Sequence, residues 1–296
     1  MPVRKAVITA GGYGTRQFPA TRVIQKELLP IVDADGVTKP ALQLIVAEAL
    51  AAGVEEIGIV ARPGAEQQIR QLFSPLSDAE RHALAKRPEA LAVAQQLEEI
   101  GRHVAYIYQR EQLGYGHAVF CSRQWVGDEP FLLMLGDHLY ISETDTPCAR
   151  QLVEIFDAYG ANLSSVAATP ASQLHLFGTV KGEPIGPGLY RALRLIEKPS
   201  PELAERELTT PGLPPGHYLC FFGMHVFTPT IFDCLAELIR GGITEKGEFQ
   251  LTTAQEMLRQ QEPYLAYVIR GRRYDIGTPD GYLEALAAFG RRTGCL

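Results

Sequence analysis

The residues with the most chemical content stand within the first thirty-one positions, in the stretch KAVITAGGYGTRQFPATRVIQKELLPI. A short apolar run, Ala6 to Ala10, breaks directly into Gly11, Gly12 and Gly14. Thr15-Arg16 follows at once, and Lys26-Glu27 comes after a further loop. A strand that ends in glycines can bring backbone N–H groups against a phosphate chain, because no Cβ holds the ligand away. Arg16 and Lys26 add cationic charge where an oligophosphate needs it. The pattern reads as a grip for a nucleoside triphosphate. A dinucleotide fingerprint would need glycine where Gln17 stands, and a P-loop would need a Gly-Lys-Ser/Thr that does not follow. Three glycines alone would suit a plain turn after a buried strand; the two cations favour phosphate.

Other candidates lie far along the chain. Asp137 follows the apolar run Phe131 to Leu135, and Asp275 sits in Tyr-Asp-Ile-Gly-Thr. Mg²⁺ takes one or two protein carboxylates and fills its remaining positions with water and phosphate oxygens, so such a pair would suffice. Gly-Asp is also ordinary turn chemistry, and spacing alone does not bring the two acids together. The amide of Gln109 offers a donor and an acceptor to the edge of a base, and Gly114 lets backbone approach a ring. A simple strand-to-helix turn competes with that reading, and His117 reads as a capping or packing residue. Glu197 can accept hydrogen bonds from sugar hydroxyls and Lys198 can pair with a phosphate; a solvated charge pair before Pro199 is the plain alternative.

The elements that must position these groups alternate. Val7 to Ala10 predicts a strand, Pro40 opens a helix that Gly53 stops, and Glu56 to Ala61 predicts a second strand. Ala65 to Gly101 predicts two or three surface helices. Strands follow at Val104 to Tyr108 and Phe131 to Leu135. In the second half, strand character marks Ser164 to Ala168, Thr179-Val180, Ala192 to Ile196, Tyr218 to Phe227 and Leu265 to Ile269. Helices are expected over Pro229 to Arg240, over Thr252 to Gln261 and from Pro279. Such alternation predicts an α/β fold: a doubly wound, mostly parallel but mixed sheet with helices on both faces. Sheets of this kind bind ligands beyond the carboxyl ends of their strands, where the candidate residues fall. We expect one domain over residues 1–296, with a nucleotide-binding half over 1–140 and a second half over 141–296 whose strands complete and extend the sheet.

Composition limits the alternatives. A 46% hydrophobic and 21% charged chain of 296 residues has ample material for a core. Its net charge of −6 argues against a nucleic-acid or acidic-membrane partner, so polyanions must be met by local cations or Mg²⁺. The cysteines, Cys121, Cys148, Cys220, Cys234 and Cys295, are scattered without a C-x-x-C pair, which predicts small core residues in a reducing compartment. No signal-peptide pattern opens the chain and no apolar run could span a bilayer, so a cytoplasmic location is expected.

Five ordered motifs carry a family resemblance over nearly the whole chain: AGGYGTRQFPATRVIQKELLPIVD, LGYGHAVFCSRQWVGDEPFLLMLGD, IEKPSP, GEFQLTTA and DIGTPDGYLEAL. Together they resemble the sugar-1-phosphate nucleotidylyltransferases, and most closely the bacterial branch that uses UTP and glucose 1-phosphate. The resemblance implies a Rossmann-like nucleotidyltransferase fold and an Mg²⁺-dependent reaction of an NTP with a sugar 1-phosphate, giving an NDP-sugar and pyrophosphate. It implies that Ala10, Gly11, Gly12 and Gly14 wrap the nucleotide and that Gln109 and Gly114 contact the base. Arg16 would hold the departing pyrophosphate and Lys26 would align the reactants. Asp137 and Asp275 would bind Mg²⁺. Gly178 and Glu197 would touch the sugar and Lys198 its phosphate. The family also implies a homo-oligomer, dimer or tetramer, formed through Glu248 to Thr252 and the neighbouring helix.

The chain departs from the uridylyltransferase pattern at Gly12, at an insertion from Ala34 to Thr38, at Asp275-Ile276-Gly277-Thr278, and at His138, where a second acid often follows the metal aspartate. These leave three readings open: a UTP enzyme making UDP-glucose, the same chemistry with dTTP or another hexose 1-phosphate, and a catalytically silent NDP-sugar-binding paralogue.

Overall fold

A computed structural model describes residues 1–294, so Cys295 lies outside the described residues. Thirteen strands occur in chain order. They are β1 (Lys5–Thr9), β2 (Pro30–Val32), β3 (Thr38–Pro40), β4 (Glu56–Ala61), β5 (Val104–Tyr108), β6 (Phe131–Leu135) and β7 (His138–Ser142). The second half adds β8 (Asn162–Pro170), β9 (Thr179–Gly186), β10 (Leu189–Ile196), β11 (His217–Phe227), β12 (Tyr264–Val268) and β13 (Gly271–Asp275). Nine of them form one sheet in the order β5-β4-β1-β6-β11-β8-β12-β10-β9. The pairs β2–β3 and β7–β13 stand apart as small antiparallel ladders.

Alternation along the strands sorts the core into two layers. Ala6 and Ile8 of β1, Ile57 and Ile59 of β4, and Leu132 and Met134 of β6 face one layer. Val7, Val60 and Leu133, one position on, face the other. Both faces are apolar because helices cover both, as period-two side-chain geometry requires of a doubly covered sheet. The helices Ala41–Ala51 and Cys148–Tyr159 pack into the first layer, and Thr230–Gly241 and Leu251–Gln261 into the second. Each fully buried Leu or Ile of these layers contributes about 1.5–3 kcal/mol relative to exposure. The helix Cys148–Tyr159 has no counterpart in the elements expected from sequence, although Leu152, Val153 and Phe156 line one of its faces.

Parallel pairing runs through β5-β4-β1-β6 and recurs between β8 and β12; the remaining neighbours are antiparallel. Chain connectivity explains the mixture. Only Pro187 and Gly188 separate β9 from β10, too short for a crossover, and Gly188 takes the turn at φ 68°. The insertion after Asp33 is the β2–β3 turn, clamped by Lys39 Nζ at 2.7 Å from both Asp33 and Asp35.

β11 joins the two parts of the sheet. Its second half pairs with β6, whereas Leu219 and Cys220 pair with β9. The register breaks between Phe221 and His225, around Gly223 at φ 101°. That bend carries the segments beside β9 and β10 over the carboxyl ends of β1 and β6. The cysteines Cys148, Cys220 and Cys234 are buried, Cys121 is half-buried, and all four are unpaired thiols. No helix among the described residues is long and apolar enough to cross a membrane.

Candidate active site

The strand ends converge on one cavity of about 700 Å³. Gly11, Gly12, Arg16, Lys26, Gln109, Gly114, Asp137, Gly178, Glu197, Lys198 and Asp275 all line it. Two expected residues stand behind it. Ala10 is buried in the first core layer, its N–H donating to Val60 O at 2.7 Å. Gly14, at φ 63°, supports the loop: its carbonyl accepts from Gln17 N and Thr21 Oγ1, both at 2.9 Å.

The glycine loop is tied to the distant C-terminal motif. Gln17 Nε2 donates to Ile276 O at 2.9 Å, and Arg16 Nη1 lies 3.4 Å from Asp275 Oδ2. Asp137 and Asp275 are neighbours despite 138 positions of sequence, because the antiparallel β7–β13 register sets Asp275 opposite His138. Ile276 N completes the joint by donating to Asp137 O at 2.9 Å. Ligand atoms of Asp137, His138 and Asp275 all lie within 4.8 Å of one another. Two carboxylates at that spacing are a donor set that suits a divalent cation.

Lys26 is the electrostatic centre of this end. Its Nζ lies 2.9 Å from Asp137 Oδ2 and 2.6 Å from Glu27 Oε1, and Glu27 is only 1% exposed. Burial works against the charge of Lys26, but the Asp137 and Glu27 carboxylates outweigh it and raise its pKa. Burial likewise works against ionised Asp137, but Lys26 chiefly holds its pKa down to about 2. Burial, followed by the neighbouring Arg273 guanidinium, lowers His138 to about 4 against the pull of Asp137 and Asp275. At neutral pH the site therefore holds a charged Lys26–Asp137 pair beside an uncharged imidazole.

The opposite end is built from the second half of the chain. Gly178 O accepts from Phe221 N at 2.9 Å, and Thr252 Oγ1 donates to Glu197 Oε2 at 2.5 Å. A side chain at 178 would press on the Phe221 ring and Thr252 Oγ1, so the backbone itself forms the wall. Lys198 holds a left-handed conformation, φ 42°, and its Nζ is 3.5 Å from Glu197 Oε1. A non-glycine residue in that conformation costs about 1–3 kcal/mol of strain, and Lys198 lines the cavity. Between the two ends, Gln109 is buried and its Nε2 donates to Gly114 O at 3.1 Å. His117 Nδ1 stands 3.3 Å from the same amide nitrogen. The segment Glu248–Phe249 holds Gly114 from outside: a Cβ there would meet Glu248 Cβ at 2.7 Å.

Against this geometry, a family model described as nucleotidyl transferase matches residues 5–291. The chain belongs to that family. This nucleotidyl transferase is 37% identical, over 97% of its length and 90% of the relative's, to UTP–glucose-1-phosphate uridylyltransferase YngB of Bacillus subtilis (strain 168). Among solved structures it resembles a UDP-glucose pyrophosphorylase complexed with UDP-glucose: TM-score 0.79, 28% identity, 98% of this chain and 99% of that one. A UTP-bound UGPase from Acinetobacter baumannii also has a TM-score of 0.79, with 26% identity over 97% of this chain and 93% of that one.

Three features of the nucleotidyl transferase site had no role in the sequence reading. Arg273 donates from Nη1 to Phe221 O at 2.6 Å and lies 4.1 Å over the Phe177 ring, with no acidic partner at ion-pair distance among the described residues. Its signal was the strand period: Arg273 and Asp275 are two apart on β13 and share a face, whereas Arg272 turns out to Glu143. His138 is the second. Gly277 is the third, and its signal needed three dimensions. A Cβ at 277 would stand 2.7 Å from Asp137 Oδ2, 2.8 Å from Arg16 Nη2 and 2.9 Å from Asp275 Oδ1. Gly277→Ala is therefore expected to push the carboxylates and Arg16 apart and lower kcat/KM about 10²-fold. Steady-state kinetics beside a thermal melt check this; a folded variant with unchanged kcat/KM would remove Gly277 from the site.

Proposed function

We propose that this nucleotidyl transferase joins UTP and glucose 1-phosphate into UDP-glucose with release of pyrophosphate, by in-line attack of the sugar phosphate on the α-phosphorus. The observation that carries the reading is the shared cavity: Arg16, Lys26 and Asp137 line the same space as Gly178, Glu197 and Lys198. Relatives named for this reaction, and structures titled with UTP and with UDP-glucose, support the choice of substrates.

The roles we assign are those the family resemblance implies, and the residue chemistry suits them. Gly11 and Gly12 receive the phosphates against bare backbone, with Ala10 and Gly14 setting the loop behind them. Gln109 and Gly114 meet the base. Gly178 and Glu197 meet the sugar, and Lys198 takes its phosphate. A phosphate oxygen of the sugar phosphate is already anionic at neutral pH, so no general base is required. The obstacle is repulsion between two polyanions and the charge that grows on pyrophosphate. Arg16 and Lys26 counter both, and Lys26 is held in place by Asp137 and Glu27 before the reactants arrive. Asp137 and Asp275 would hold Mg²⁺, which when bound supplies further neutralisation of phosphate charge. Residues 1–140 then serve the nucleotide and residues 141–296 the sugar, in a single domain. We place the protein in the cytoplasm as a homo-oligomer.

A second reading keeps the chemistry with dTTP, favoured by Gly12 and the Asp275-Ile276-Gly277-Thr278 motif. A panel of NTPs and sugar 1-phosphates ranked by kcat/KM separates them. UTP with glucose 1-phosphate is expected to lead by about 10²-fold. A lead for dTTP or for another hexose would replace the assignment, and no turnover with any pair would leave a silent NDP-sugar binder.

A further inference from the structure

The carboxylates of Asp137 and Asp275 have a neighbour of different chemistry. His138 offers a ring nitrogen within 4.8 Å of their oxygens. The side chain is 7% exposed, lines the cavity, and its Nδ1 is buried without a hydrogen-bond partner. That nitrogen is the ring atom that faces Gly223. The ring cannot swing away on one side. It lies against Gly223, where any Cβ would collide with it, and strand pairing fixes His138 opposite Asp275. Within the protein, Lys26 engages only Oδ2 of Asp137, while Asp275 spends Oδ1 on Gly277 N–H and Oδ2 on Arg16.

Two carboxylates and an imidazole make an O,O,N donor set. Mg²⁺ is hard and prefers oxygen, whereas imidazole nitrogen favours first-row transition ions, increasingly so along the Irving–Williams series. We propose that His138 is a third protein ligand of the divalent-cation site and gives that site a preference for Mn²⁺ or Co²⁺ over Mg²⁺. The proposal rests on the reading of Asp137 and Asp275 as the metal carboxylates.

Mn²⁺ alone is the probe, added to the full-length protein without nucleotide. Pulsed EPR is expected to show the ¹⁴N coupling of a directly bound imidazole. The coupling should vanish in His138→Asn, with Mn²⁺ affinity falling about 10-fold or more and Mg²⁺ affinity nearly unchanged. His138→Asp, which restores an oxygen donor, should shift the preference back toward Mg²⁺. The wild-type spectrum requires no variant to fold. Its lack of coordinated nitrogen would overturn the proposal, as would an unchanged Mn²⁺-to-Mg²⁺ affinity ratio in a folded variant. Turnover of UTP and glucose 1-phosphate, followed in parallel, keeps the two readings distinct. UDP-glucose synthesis without nitrogen coupling sinks this proposal alone. Nitrogen-bound Mn²⁺ in a protein without turnover sinks the function alone.

Discussion

Replacing Lys26 with methionine is expected to lower kcat about 10³-fold, the scale of losing a preorganised charge beside the reacting phosphates. The structure adds a second effect. Lys26 is 9% exposed and neutralises Asp137 and the still more buried Glu27. Removing the cation strands two carboxylates, at a cost of about 3–5 kcal/mol. The two effects can be separated. Glu27→Gln removes the deeper charge and should return much of the stability to Lys26→Met without returning activity, because Glu27 does not line the cavity. Chemical denaturation and kcat on the single and double variants check this. Activity recovering together with stability would show that Lys26 serves the fold and not the reaction.

The other large effect is expected at Asp137. Asp137→Asn keeps the shape and an oxygen that Lys26 can reach, but removes the charge that Lys26 holds ionised. We expect kcat to fall about 10³-fold and the Mg²⁺ concentration for half-maximal rate to rise at least about 10-fold. Lys26 retains Glu27 as its partner, so the loss of stability should be smaller than for Lys26→Met. A Mg²⁺ titration with an unchanged midpoint would remove Asp137 from the metal site.

Residues that announce themselves locally were legible in the sequence. The strand that breaks into Gly11 and Gly12 needs only the hydrophobic run and the glycines to be read. Asp137 and Gln109 were found because each follows a strand whose direction the alternation sets. The meeting of Asp137 with Asp275 was not readable, because it depends on the register of β7 with β13, two short strands that form a ladder outside the main sheet. The antiparallel second half was under-read for a related reason. Long-range neighbours such as β11 with β6 leave no local mark, although the Pro187-Gly188 turn did. Nothing local marks Glu27 as a buried acid. Its burial follows from the fold around Gly136, where a Cβ would lie 2.6 Å from Thr9 O and 3.2 Å from Glu27 Cγ.

Direct displacement at one cleft leaves a stereochemical record. Among the described residues the cavity lining contains His138 and His225 but no cysteine or serine, so a protein-bound nucleotide intermediate on them would have to form on a histidine, a threonine or another lining nucleophile. The decisive measurement is the configuration at the α-phosphorus when the protein turns over one diastereomer of UTP with sulfur at that position and glucose 1-phosphate. A single attack by the sugar phosphate predicts complete inversion in the UDP-glucose analogue. Retention would mean two displacements through a protein nucleophile, and would contradict the assignment of Arg16, Lys26 and Asp137 to a one-step transfer.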